Sequence, residues 1–383
     1  MTSVLEAVRS IGPELAKHSP AIEANRTLPD DVVDLVRPTG AFRMYVPTEL
    51  DGPQVPAWES LQVIEELAYH DGATGWCAMI GSTTSLLSNY LPDPHAAEIF
   101  TAPEGIGGGF AMPNGRAVAT DGGLRVTGTW QWGSGTRHCS WIGGGARLVD
   151  ADGAPAPRED GLAAPFVFFP ADDVEFIDNW DVSGLSGTGS GDYRVDDVFV
   201  PEGRWVQVGI DPPRRGNDLA RFSFFGLLAC GVASTAMGIG RRAVDELIDL
   251  AGAKKPQGSR KLLRDRSEIQ TEVAKAEAML RSAWAFMEQS VSSAWETAVA
   301  GDTPTVEQRR SIRLSATHAT HTAAEATRAM YTAGGGAAVY RTSPLQRCFR
   351  DVSVATQHAM VAPVQYQVPG RLRLGVETDT RTL

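Results

Sequence analysis

The chain has 383 residues, 43% of them hydrophobic and 21% charged, a balance that builds packed cores and argues against a disordered protein. Acidic side chains outnumber basic ones 46 to 35, and the formal net charge of −11 argues against a binder of nucleic-acid backbones, which needs clustered Lys and Arg. The four cysteines, Cys77, Cys139, Cys230 and Cys348, form no CxxC pair and read as buried thiols, with neither a zinc site nor a disulfide framework implied.

The first twenty residues carry Glu and Lys through their apolar positions and lack the unbroken apolar run of a signal peptide. Val4, Leu5, Val8 and Ile11 recur at helical spacing, as do Val32, Val33, Leu35 and Val36, until Pro38 and Gly40 break the pattern. A longer amphipathic helix is predicted over Trp58–Tyr69. Trp76–Tyr90 is apolar on most faces and should be buried. No stretch approaches the roughly 20 apolar residues that span a bilayer, so a cytoplasmic protein without a membrane partner is expected.

Between about Gly107 and Trp205 the texture changes. Glycine and proline become frequent, and short β-type runs stand between turn signals: LRVTGTWQW after Gly122-Gly123, then SWIGGGARLV, PFVFFP and YRVDDVFVP. Seven or eight short antiparallel strands are expected. Helical texture returns after Phe225, over Gly226–Leu250, over Arg264–Ala300, and from a start signal at Asp302-Thr303-Pro304 to about Thr332. Gly334, Gly335 and Gly336 stop that helix, and Ser343-Pro344 starts another.

Helices, strands and helices in separate blocks define an α+β chain, not a doubly wound α/β one. The expected domains are a helical one over 1–105, an antiparallel β-domain over 106–220 and an antiparallel helical bundle over 221–383. No GxGxxG joins a strand to a helix, and no P-loop occurs.

The richest segment for chemistry runs from Val126 to Trp141. If it is one extended strand, Trp130, Trp132 and Ser134 share a face, two indoles beside a hydroxyl, suited to a flat heterocycle. The alternative is a core strand with incidental tryptophans. His318 and His321 sit three apart on a helix, but no third metal ligand is evident, and no metal site is assigned.

These residues resemble the acyl-CoA dehydrogenase superfamily. Its flavin-contacting strand has a glycine four residues before a tryptophan, a hydroxyl residue two positions further on and a later tryptophan. Gly128, Trp132, Ser134 and Trp141 fall on those positions. Trp180–Ser190 followed by Tyr193–Pro201 is similar to the passage that closes the family's β-domain. Arg350-Asp351 is like its arginine–aspartate pair on a late helix. The resemblance implies that Ser134 hydrogen-bonds the isoalloxazine near N5 and O4 while Trp132 packs on the ring. For Gly334, Gly335 and Gly336 it implies a cradle for the dinucleotide pyrophosphate of a neighbouring subunit, and the plain helix stop stands beside that reading.

The late helix separates two chemistries. Dehydrogenases of this family place a glutamate base eight residues after that aspartate. Here the eighth residue is Ala359, and no carboxylate lies between Val352 and Gly370. The seventh is His358, and in this the sequence resembles the two-component flavin-dependent monooxygenases. His358 would act as a base for a phenol or hydrogen-bond the oxygenated cofactor. Several hydroxylases hold a second histidine nine residues after a Gly-Trp pair like Gly75-Trp76, and here that position is Thr84.

The expected function is therefore the oxygenase component of a two-component system. It would take reduced flavin (FAD or FMN) from a separate reductase and use O2 on a small aromatic or polyketide-like substrate, as a homotetramer. The alternatives are an FAD-dependent desaturase of the acyl-CoA dehydrogenase type and a non-catalytic protein that keeps the fold.

Overall fold

The computed structural model describes residues 2–101 and 103–383. The chain opens with α1 (Val4–Asn25), α2 (Asp30–Val36), α3 (Ala57–His70), α4 (Gly72–Ser85) and α5 (Asp93–Phe100). A capping box starts α1: the Ser3 hydroxyl accepts the Glu6 amide while the Glu6 carboxylate takes that of Ser3. Asp71 caps α4, accepting the Thr74 amide at 2.8 Å and the Ser19 hydroxyl at 2.7 Å. The apolar α4 is buried along almost its whole length, as its composition predicts.

Seven strands follow among the described residues: β1 (Gly107–Thr120), β2 (Gly123–Trp130), β3 (Trp141–Leu148), β4 (Phe166–Pro170), β5 (Glu175–Ile177), β6 (Asp192–Pro201) and β7 (Trp205–Val206). They form one sheet in the order β5-β6-β2-β1-β3-β4-β7. The sheet is mixed, where antiparallel pairing was expected. β2 folds back on β1 as a hairpin, and its exit loop then crosses to the far side of β1, so β3 runs parallel to β1 while the other neighbours are antiparallel. Pro113, which has no amide proton for the ladder, sits between two register shifts in the β1–β3 pair. The Trp130 indole fills the centre of the sheet core. Its Nε1 donates to the Gly145 carbonyl at 2.8 Å and its ring stacks on Tyr193. A methyl group at Gly128 or Gly144 would lie within 2.7 Å or 2.6 Å of that ring, so only glycine admits it.

The chain then returns to helices: α6 (Asp218–Arg221), α7 (Phe224–Ala253), α8 (Ser267–Val299), α9 (Val306–Gly334), α10 (Pro344–Ala355) and α11 (Gln367–Arg373). Contrary to the expectation that no stretch approaches a membrane-spanning length, α7 is long and apolar enough by composition to cross a membrane, but most of it is buried inside this fold. Its small residues, Ala229, Ala233, Ala236 and Ala243, let α3, α4 and α9 pack closely around it. α9 starts later than the Asp302-Thr303-Pro304 signal implied. Thr305 is the cap, because its hydroxyl and the Gln308 side chain satisfy each other's amides at 3.2 Å and 2.9 Å. The larger of two apolar clusters among the described residues runs from α1 through the sheet into α7, α9 and α10.

Candidate active site

The segment expected to be one strand is two structures. β2 ends at Trp130, and Trp132 adopts a left-handed backbone with φ of 59°. That reversal ends the alternation of faces. Trp130 is therefore buried in the sheet, and Trp132 turns outward, 56% exposed, with its ring edge-to-face on Phe110 at 5.6 Å. Ser134 turns inward, 6% exposed. The expectation that all three share a face is corrected. The reason is a tertiary one: the Gly133 and Gly135 amides donate to the carbonyls of Gly191 and Thr188, which fastens this loop to the one before β6.

Ser134 stands in a line of polar groups from three parts of the chain. The Trp76 Nε1 on α4 donates to its hydroxyl at 3.1 Å. The Ser134 and Ser190 hydroxyls are 2.6 Å apart, and so are those of Ser190 and Thr188. The Thr188 hydroxyl donates to the Leu185 carbonyl at 2.8 Å. The loop carrying Leu185, Thr188 and Ser190 is held by α10. Asp351 accepts the Leu185 amide at 2.6 Å, and the Arg350 guanidinium donates to the Ser183 carbonyl at 2.8 Å. Burial, with the carboxylate of Asp71 adding to it, lifts the Asp351 carboxyl to about 7 against the pull of the Leu185 amide and of Arg347 and Arg350.

His358 lies in the turn after α10 and meets the other side of Trp76, edge-to-face at 5.5 Å between ring centroids. Its Nδ1 accepts the Met360 amide at 3.2 Å, which places the proton of the neutral ring on Nε2. Burial, with the nearby Arg313 cation second, holds its pKa down to about 4. Arg313 on α9 is 2% exposed, and its guanidinium donates to the carbonyls of Met360 at 3.0 Å and of Thr382. Desolvation lowers its own pKa to about 10. No sequence pattern marks Arg313, and Thr188 and Ser190 lie in a family-like segment without a signal of their own because hydroxyls carry no periodic signature.

The other candidates lie elsewhere. Thr84 is buried on α4 against Gly107. Gly334 ends α9, and Gly335 has a φ of 56°. Lys254 Nζ donates to the Gly334 carbonyl at 2.7 Å. Arg313 is near the start of the same helix, so the glycines lie roughly 30 Å from it at about 1.5 Å per residue. They are not brought to Ser134 and His358. His321 Nε2 hydrogen-bonds the Val361 carbonyl at 3.0 Å.

Helical block, sheet loops and helical bundle thus meet where Trp76 joins the Ser134 hydroxyl line to the neutral His358 imidazole. Residues 3–92 match the acyl-CoA dehydrogenase N-terminal domain and residues 230–363 the acyl-CoA dehydrogenase C-terminal domain. The indole-3-acetate monooxygenase of Pseudomonas putida is 33% identical over 354 residues, covering 92% of this chain and 89% of that one. The HsaA monooxygenase from M. tuberculosis superposes with a TM-score of 0.90 at 25% identity, covering 99% of each chain. XiaF from Streptomyces sp., solved with FADH2 and glycerol, gives a TM-score of 0.90 at 25% identity over 98% of this chain and 95% of that one. The chain belongs to the acyl-CoA dehydrogenase family, in its branch of flavin-dependent monooxygenases.

Proposed function

We propose that this protein is the oxygenase component of a two-component monooxygenase that hydroxylates a small aromatic substrate, with reduced FAD or FMN delivered by a separate reductase. The observation that carries the reading is the pair of groups on either side of Trp76. One is the Ser134 hydroxyl, the other a neutral imidazole in the region where a dehydrogenase holds its carboxylate base. A desaturase must remove an α-proton, which a carboxylate of raised pKa does well and Ala359 cannot do.

The residues fit a flavin. Trp132 spends a disfavoured backbone conformation to present a large ring outward beside Phe110, and that wall suits the face of an isoalloxazine. Ser134 would meet the ring edge, and Gly334, Gly335 and Gly336 would face the pyrophosphate of a dinucleotide bound mainly to a neighbouring subunit. When bound, reduced flavin supplies the electrons that activate O2. His358 would offer its Nε2–H to an oxygen atom of the bound substrate or cofactor. Buried Arg313 holds the turn that carries His358 by its grip on the Met360 carbonyl.

The names of the relatives favour an aromatic substrate, one of them an indole acid. We place the protein in the cytoplasm as a homotetramer, with the groove of about 890 Å³ between α8, α9 and α10, lined by both apolar (Ile269, Phe349) and charged (Glu268, Arg328) side chains, as the surface for a neighbouring subunit. The test mixes the protein with photoreduced FAD or FMN, O2 and a panel of indole acids and phenols. An oxygenated product is expected, with less of it from His358→Ala. Anaerobic bleaching of bound flavin by a saturated acyl-CoA, unaffected by His358→Ala, would overturn the reading.

A further inference from the structure

The polar line through Ser134 has a direction. The Trp76 indole nitrogen can only donate, and the Leu185 carbonyl can only accept. Each hydroxyl between them has one hydrogen. Thr188 gives its hydrogen to Leu185, so the 2.6 Å contact between Ser190 and Thr188 needs the hydrogen of Ser190. The 2.6 Å contact between Ser134 and Ser190 then needs the hydrogen of Ser134. One of the two lone pairs on Ser134 takes the Trp76 donor. What remains on Ser134 is a lone pair, with no hydrogen to offer.

We infer that this line fixes Ser134 as an acceptor, and that Ser190 and Thr188 are positioning residues that make the site prefer reduced over oxidised flavin. The inference rests on the reading above that Ser134 meets the flavin edge. N5 of a reduced flavin bears a hydrogen and is a donor, which a fixed acceptor matches. N5 of an oxidised flavin presents a lone pair, and two lone pairs then face each other in a poorly hydrated pocket. The preference suits an enzyme that receives its flavin already reduced, and it comes from side chains one and two positions removed from the ring.

Shortening the line frees the hydrogen. Without Ser190 the Ser134 hydroxyl can turn and donate. Without the Thr188 oxygen, Ser190 can donate to Ser134 and release it in the same way. The experiment is an anaerobic titration of the full-length protein with oxidised and with photoreduced FMN and FAD, giving the ratio of the two dissociation constants. Thr188→Val, which keeps the shape of the side chain, and Ser190→Ala should each lower the oxidised-to-reduced ratio about three- to tenfold, mainly through tighter binding of oxidised flavin. Tenfold corresponds to about 30 mV in the two-electron potential of the bound flavin. In a Ser134→Ala background, Ser190→Ala should leave the ratio unchanged.

A ratio unmoved by Thr188→Val, in a protein where Ser134→Ala still weakens reduced-flavin binding, overturns the inference and leaves the site reading intact. Ser134→Ala with no effect on either affinity overturns the site reading, and the inference with it. If Ser190→Ala does not fold, Thr188→Val decides.

Discussion

The indole of Trp76 meets the imidazole of His358 edge-to-face, with 5.5 Å between their centroids and 72° between their planes. The single N–H of that indole points to Ser134, so it makes no hydrogen bond to His358. One residue on α4 thus packs the turn after α10 while it hydrogen-bonds the loop after β2. The Nε2–H of His358 stays free for whatever binds beside it.

Trp76→Phe keeps an aromatic ring and removes that donor. The loss should be about 0.5–1.5 kcal/mol of stability, read as a lower urea midpoint at unchanged slope. The oxidised-to-reduced flavin ratio should stay as in the parent, because the direction of the hydroxyl line is set from the Leu185 end. A ratio that moves as far as in Thr188→Val would show that the Trp76 end sets it.

The His358 imidazole, held near 4 by burial, is neutral around neutral pH. Its unfolded value is about 6.5. Between these values the unfolded chain binds the extra proton, so stability falls as pH drops from about 6.5 towards 4. His358→Gln should flatten that part of the urea-midpoint profile. In the parent, rates of substrate oxygenation should show no inflection near 6.5 from this residue. An imidazole that titrates near 6.5 by NMR in the folded protein would contradict both expectations. Arg313→Met removes the neighbouring cation and should move the titration upward.

Asp351 is the opposite case. Its carboxyl, lifted to about 7, is protonated in the fold at pH values where the unfolded chain has lost the proton. Stability therefore falls as pH rises from about 4 through 7. Asp351→Asn keeps an oxygen for the Leu185 amide and cannot ionise. It should be more stable than the parent at pH 8, on the order of 1–2 kcal/mol or more, with the advantage gone only below about pH 4. Calorimetry at the two pH values checks this, and equal gains at both would place the cause elsewhere.

The sequence by itself determined the α–β–α order, the long helices and the buried character of α4, because apolar periodicity and turn residues are local signals that packing only has to accept. It also pointed to Ser134 and His358, through their places in family motifs. Only the tertiary structure decided how those residues face. The parallel pairing of β3 with β1 depends on where a ten-residue loop crosses the sheet, and nothing within either strand specifies it. The left-handed turn at Trp132, which sends Trp130 inward and Trp132 outward, is held by amides bonding to the loop before β6, some sixty residues away in sequence. Arg313 joins the site through the Met360 carbonyl, Ser190 through the Ser134 hydroxyl and Thr188 through Ser190. A hydrogen bond between side chains distant in sequence leaves no periodic trace, so the direction in which Ser134 can act was settled by the fold alone.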